Sequence, residues 1–231
     1  MEMSARGTHA RVLSLLLRLA PPNPRTRVLD IGAGTGALSA RLAAAGYDVA
    51  ACDLYPEEFR VPNVECLGVD AGGLLPYADG GFDVAIAVEL VEHIDHHAAL
   101  FAEVRRILRP GGMLAFTTPN ILSLKSRVGF LFTGYLYSFP SLDPAVLDPV
   151  AQHISPFSLD RYRWRLAQAG LDVVDVTVDR YQNTSRWLAF LVPAIWLINR
   201  RAARHSPSVR LQNSLPLLFG RKLFVAARRR G

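Results

Sequence analysis

The stretch Val28-Leu-Asp-Ile-Gly-Ala-Gly-Thr-Gly-Ala-Leu-Ser39 decides the fold, because it has the form of a buried strand that enters a glycine-rich loop and then a helix. Gly32, Gly34 and Gly36 permit a tight bend and let bare backbone approach a ligand closely. The N–H groups and the dipole of the helix that follows favour a negatively charged group. The loop alone does not choose the ligand, since Ala37 also satisfies the relaxed pattern of dinucleotide-binding loops.

Short apolar runs alternate with helical stretches on both sides of this loop, which predicts an α/β fold with a doubly wound, mostly parallel sheet. Helices are predicted at 36–45, 96–108 and 158–169, and an N-terminal packing helix rather than a signal peptide at 11–20. The predicted strands are Arg27–Ile31, Asp48–Asp53, Val64–Val69, Phe82–Val88, Met113–Thr118, Leu171–Asp179 and Lys222–Ala227.

Length and composition fit one domain over residues 1–231 with two insertions, at 121–156 and 183–219. The first is expected to be a substrate lid. Hydrophobic residues make up 50% of the chain, enough for a sizeable core, and two cysteines are too few for a disulfide framework, so a reducing cytoplasm is the expected compartment. The net charge of +6 comes mainly from the last third of the chain.

Two acids follow the glycine loop at strand ends. A carboxylate at Asp53 can accept hydrogen bonds from two ribose hydroxyls, and one at Asp70 can accept from an exocyclic adenine amine. The backbone N–H of Ala71 is available to a ring nitrogen. In a doubly wound sheet these strand ends share one edge, so the spacing predicts a site for an adenosine. A turn or a helix cap is the alternative role for either acid taken singly.

These motifs resemble those of class I S-adenosylmethionine-dependent methyltransferases over residues 27–179. The matching segments are Asp30-Ile-Gly-Ala-Gly-Thr-Gly36, Asp53, Asp70, Phe82-Asp-Val-Ala-Ile-Ala-Val-Glu-Leu-Val-Glu-His-Ile94 and Leu108-Arg-Pro-Gly-Gly112. The resemblance implies seven strands, of which the last is antiparallel, and S-adenosylmethionine as cofactor. It also implies cofactor contacts at Asp30, Gly32, Ala33, Gly34, Gly36, Asp53, Leu54, Asp70, Ala71 and Val88, with the methionine end over the glycines and Leu54 against the adenine.

The sequence says less about the methyl acceptor than about the cofactor. The segment after the fourth strand, Val88-Glu-Leu-Val91, lacks the Asn-Pro-Pro-Tyr/Phe pattern that grips nucleobase or peptide nitrogens, which favours a small-molecule acceptor over DNA. The Thr118-Pro-Asn120 and His153-Ile154 pattern is similar to that of methyltransferases of cell-envelope sugar and lipid pathways, and a lipophilic or sugar-linked acceptor is expected.

Two histidines are candidate general bases. The resemblance places His93 near the transferred methyl group, where a neutral imidazole can take the acceptor's proton. Its alternative role is to order the turn beside Glu92. His153 is expected to face the same pocket. His96 and His97 are expected to be solvated, and the spacing of these groups predicts no metal site.

The run 187–198 is apolar and aromatic with arginines on both sides, and it is too short to span a bilayer. Peripheral membrane contact through 187–204 is one interpretation, and a pocket lid or a dimer face is the other. No nucleic-acid contact is expected, because the basic residues lack interleaved stacking aromatics. A non-catalytic S-adenosylmethionine-binding module and an NAD-dependent oxidoreductase are the alternative functions.

Overall fold

A computed structural model describes residues 7–23, 25–148 and 150–231. Its strands form one sheet in the order β3-β2-β1-β4-β5-β7-β6. The strands are β1 (Arg27–Ile31), β2 (Asp48–Asp53), β3 (Cys66–Gly68), β4 (Phe82–Val88), β5 (Leu108–Pro119), β6 (Leu171–Val178) and β7 (Lys222–Arg229). The first five strands pair in parallel, and β7 lies antiparallel between β5 and β6. This confirms the predicted fold class, including the antiparallel last strand.

Helices cover both faces of the sheet. They are α1 (Thr8–Leu19), α2 (Ala37–Ala44), α3 (His97–Ile107), α4 (Leu124–Thr133), α5 (Leu159–Gln168), α6 (Asn183–Trp187), α7 (Val192–His205), α8 (Pro207–Gln212) and α9 (Leu215–Phe219). Alternate strand residues point to opposite faces, as the pleat requires. Val28 packs with α1 and α2 on one face, and Leu29 packs with α3 and α5 on the other.

Several elements differ in extent or type from the predicted ones, among them β3, β5 and the segment 183–219. β3 is shorter than the predicted 64–69, since only Cys66–Gly68 pairs with β2. β5 begins at Leu108, so the Arg-Pro-Gly-Gly turn lies inside the strand, where pairing with β4 shifts register. The segment 183–219 is helical, and Pro193 fits in the first turn of α7, where its missing N–H costs nothing.

Both segments predicted as insertions are anchored to the carboxyl-terminal edge of the sheet. Asn120, directly after β5, donates from its amide to the carbonyls of Leu217 and Gly220 at 2.7 and 2.9 Å. Arg127 of α4 donates to Asn213 Oδ1 at 2.7 Å. The helices of the two segments therefore pack on one another. Among the described residues no helix is both long enough and apolar enough to cross a membrane.

Candidate functional site

The glycine loop lines a cleft at the carboxyl ends of β1, β2 and β4. Gly32 and Gly34 have φ of 73° and 52°, a region that L side chains rarely adopt. The N–H groups of Gly32 and Ala33 both donate to the carbonyl of Cys52, at 2.8 and 3.2 Å, which fixes the loop beside β2. Around this loop the cleft encloses about 390 Å³.

Gly36 has a different environment from the other two loop glycines. It lies directly before α2 with φ of 84°, and a Cβ there would lie 2.4 Å from Val61 Cγ2 and 2.7 Å from Phe59 Cε2. Gly36 is absent from the cleft lining formed by the described residues. Its position requires glycine because of the backbone conformation and the close approach of 59–61, and direct cofactor contact at Gly36 stays a prediction.

Asp53 ends β2 and faces the glycine loop. Its Oδ2 accepts from the N–H of Gly34 at 2.7 Å, and its Oδ1 accepts from the N–H of Tyr55 at 2.9 Å. These two bonds fix a half-buried carboxylate at the cleft with lone pairs remaining for a ligand.

A second chamber of about 230 Å³ continues the cleft past Asp53. Asp70 and Ala71 line it together with Leu54, whose side chain is 37% exposed. Asp70 Oδ1 accepts from the N–H of Gly72 at 2.8 Å, an arrangement typical of a turn. Gly32 and Asp53 border both chambers, so the predicted adenosine contacts lie along one continuous cleft.

Asp30 lies in the wall of the first chamber and is fully buried. Ser39 Oγ donates to its Oδ2 at 2.6 Å. Burial raises the pKa of Asp30 to about 6, and repulsion from Asp53 adds to the rise, whereas the Ser39 hydroxyl opposes it. When ionised, this carboxyl gives the chamber a negative charge suited to an ammonium group.

Val88 and Glu89, at the end of β4, complete the first chamber. Glu89 has φ of 53°, an uncommon conformation for this residue type, and its carboxylate forms an ion pair with buried Lys222 of β7. His9 of α1 lines the same chamber. Sequence reasoning missed all three of Glu89, Lys222 and His9; the one available signal was an acid at the end of a central parallel strand.

His93 and His153 meet at the mouth of the cleft. Their rings form an edge-to-face pair with centroids 4.7 Å apart. His93 Nδ1 lies 2.9 Å from the carbonyl of Gln152, and His153 Nδ1 lies 2.7 Å from the carbonyl of Ser138. A carbonyl only accepts, so each Nδ1 carries a proton and each Nε2 is the basic nitrogen. The structure thus brings both predicted bases together, 60 residues apart in the chain.

Glu92 is buried beneath this histidine pair. Among the described residues neither of its carboxyl oxygens has a hydrogen-bond partner. Burial raises the pKa of Glu92 to about 8, and repulsion from Glu89 adds to the rise. The nearby polar groups of its own backbone and of Thr118, together with the charge of Lys222, offset part of it without a hydrogen bond of normal geometry. Potential ligand atoms of Glu92, His93 and His153 lie within 4.8 Å of one another. Sequence spacing did not suggest this grouping, and the absence of a metal stays a prediction.

His97 corrects one expectation. It is buried rather than solvated: its ring stacks on Phe157 with centroids 4.2 Å apart, and its Nε2 lies 2.8 Å from the carbonyl of Val91. Burial lowers the pKa of His97, so the neutral form is favoured. His96, by contrast, is exposed as expected.

Comparison with known proteins identifies the family. Residues 4–176 match the model of a methyltransferase domain. The chain is 35% identical over 140 residues to the demethylmenaquinone methyltransferase of Beutenbergia cavernae, covering 57% of this chain and about half, 53%, of that protein. It is 31% identical over 175 residues to the ubiquinone biosynthesis O-methyltransferase of Burkholderia pseudomallei, covering 72% and 73% of the two chains.

The fold is shared with a SAM-dependent methyltransferase from Archaeoglobus fulgidus, with a TM-score of 0.62 at 20% identity over 97% of this chain and 96% of that one. The chain belongs to the methyltransferase family, as its motifs predicted, and its cofactor is S-adenosylmethionine. Membership in this family decides against the NAD-dependent oxidoreductase.

Proposed function

We propose that this chain transfers a methyl group from S-adenosylmethionine to an oxygen of a small, lipophilic acceptor of the quinone or phenol type. The observation that carries the proposal is the convergence of two imidazoles with defined basic nitrogens on the mouth of the cofactor cleft. The two named relatives are quinone-pathway methyltransferases, which supports an aromatic acceptor.

The cleft residues fit the cofactor by charge and shape. The carboxylate of Asp30 would suit its ammonium group, and that of Asp53 its ribose. The chamber beside Leu54 and Ala71 suits its adenine. The combined volume lies within the range of ligand pockets, roughly 300–1,000 Å³. When bound, S-adenosylmethionine supplies an electrophilic methyl group on a sulfonium.

The protein's remaining contribution is alignment and proton removal. His93 Nε2 or His153 Nε2 accepts the proton of the acceptor's hydroxyl as the oxygen becomes a nucleophile. A positioned base of this kind contributes roughly 10²- to 10⁴-fold to the rate. The segment holding His153 is tied to the site because the N–H groups of Ile154 and Ser155 donate to the carbonyl of Glu92, at 2.9 and 3.0 Å.

The test compares His93→Gln, His153→Gln and the control His205→Gln, whose histidine is exposed at the end of α7. Turnover is measured with S-adenosylmethionine and a water-soluble, short-chain demethylated quinol. At least one of the two site variants is expected to lose about 10²-fold or more in kcat. Affinity for S-adenosylhomocysteine, measured by calorimetry, should stay within about twofold of wild type.

Two results decide against this assignment. Unchanged kcat in both site variants removes the histidines from the reaction. Tight S-adenosylhomocysteine binding without turnover on quinols, phenols or lipid-linked sugars favours the alternative of a non-catalytic binding module.

A further inference from the structure

The two insertions carry an exposed apolar surface. The docking face, as we name it, consists of Leu131, Phe132, Trp187, Phe190, Leu197 and Ile198, each at least 69% exposed. Scattered single apolar residues are ordinary on protein surfaces, whereas a concentration of large ones on neighbouring helices marks a site of interaction.

Helix α7 divides its large aliphatic side chains between an inward and an outward side. Val192 and Ile195 pack inward against α4 and α9, in a small cluster with Leu124 and Leu218. Leu197 and Ile198 are exposed to solvent instead, as are Trp187 at the end of α6 and Phe190 in the short turn that leads into α7. The packing of α7 on α4 and α9 uses its inward residues. The exposed apolar side chains are therefore not needed for that packing.

Charge near the docking face has one sign. No Asp or Glu occurs in 180–231 or in 120–142, the two ranges that contain the face. Arg186, Arg200, Arg201 and Arg204 flank it; the last three are exposed on α7. The combination of an apolar stripe with arginines on its borders is typical of helices that lie at a lipid headgroup boundary.

The docking face connects with the cleft through α4 and the turn after it. The N–H of Lys125 donates to Ser185 Oγ at 3.2 Å, which joins α4 to α6. Beyond α4, the Ser138 carbonyl pairs with His153 Nδ1, and the Phe139 ring lies 5.5 Å from the His153 ring. A continuous set of contacts therefore runs from the exposed apolar helices to the candidate base.

We propose that this face docks on the surface of an anionic lipid bilayer, with the apolar side chains in the headgroup boundary and the arginines on anionic headgroups. The inference deepens the proposed function, on which it rests for the choice of a lipophilic acceptor, because docking here presents the cleft mouth to a membrane-dissolved substrate. A second copy of the chain is a poorer occupant, since a two-fold interface brings the same arginines together without acids to pair them.

The test is co-sedimentation of the full chain with vesicles of phosphatidylcholine alone or with 30% phosphatidylglycerol. Wild type is expected to bind the anionic vesicles and to dissociate as salt rises. Arg200→Glu/Arg201→Glu/Arg204→Glu should lower the partition coefficient at least about 100-fold, because loss of the three positive charges alone accounts for about fivefold each. Leu197→Ser/Ile198→Ser should lower it by about tenfold or more.

A matched control keeps the net charge equal. Arg11→Glu/Arg25→Glu/Arg105→Glu changes the net charge from +6 to 0, as the α7 triple variant does, at exposed sites away from the docking face. This control should retain most of the binding, and all variants should keep wild-type affinity for S-adenosylhomocysteine. That measurement separates failure of docking from failure of the proposed function.

Three results would overturn the proposal. The first is equal binding of the wild type to neutral and anionic vesicles. The second is a loss of vesicle binding in the control triple variant equal to that in the α7 triple variant. The third is a wild type that binds no vesicles but forms dimers, which Leu197→Ser/Ile198→Ser dissociates. The last result would assign the face to contact between copies.

Discussion

Replacing Glu92 by Gln is expected to remove a pH dependence of the free energy of unfolding. Glu92 is fully buried, and its carboxyl oxygens have no hydrogen-bond partner in the part of the chain that the structure describes. Burial raises its pKa from the ordinary 4.5 to about 8. At pH values between these two pKa values, Glu92 is ionised in the unfolded chain and protonated in the folded protein. The folded state therefore binds more protons in this window, and its stability falls as pH rises through it.

The size of the effect follows from the two pKa values. One pH unit within the window costs about 1.4 kcal/mol, and the cost levels off near the folded-state pKa. From pH 6 to pH 8 the wild type therefore loses about 2 kcal/mol through this one group. Gln is neutral throughout and similar in shape to protonated Glu, so the variant lacks this loss.

Urea unfolding at pH 6, 7 and 8, followed by circular dichroism, measures the effect. The stability of Glu92→Gln relative to wild type should rise by about 2 kcal/mol from pH 6 to pH 8. Glu103→Gln is the control, because Arg106 lowers the pKa of Glu103 below its ordinary value of 4.5. The contribution of Glu103 to stability is therefore fully present above pH 4.5 and is lost only at lower pH. Parallel pH profiles for wild type and Glu92→Gln would refute the reasoning.

Two further predictions concern Asp53, at the cleft, and Gly36, directly before α2. Asp53→Ala should weaken S-adenosylhomocysteine binding about 10- to 100-fold in calorimetry. Asp53→Asn should weaken it less, since an amide oxygen still accepts from the N–H of Gly34. Equal losses of affinity in the two variants would contradict this role. Gly36→Ala should cost at least twice as much unfolding free energy as Gly46→Ala. Both have positive φ, but only at Gly36 does a Cβ meet Val61, and equal costs in urea would show that contact to be harmless.

The parallel sheet was predictable because its strands are continuous apolar runs that end at glycines or acids. β1, β2 and β4 have the predicted bounds, and the joint placement of Asp53 and Asp70 along one cleft follows from the edge they share. The alternation of strands and helices predicts a doubly wound sheet, in which ligands bind at the carboxyl ends of the strands. The local sequence pattern was therefore sufficient to locate the cleft.

The pairing of Glu89 with Lys222 was not predictable, because it depends on β7 entering the sheet beside β5. The burial of His97 was missed for a similar reason. Its position at the start of α3 indicates exposure, but Phe157 from a distant segment covers it. Contacts that join distant segments leave no periodic signal in either segment.

The place of β7 between β5 and β6 has a consequence for how the protein is made. On the ribosome β6 emerges well before its sheet neighbour, and the helices of 183–219, with their outward leucines and aromatics, emerge in the interval. Until Lys222–Arg229 inserts, β6 has no strand to pair with and the sheet has an open edge at β5. Nascent chains arrested before this strand should consequently be captured by chaperones and cut by proteases that spare the finished protein.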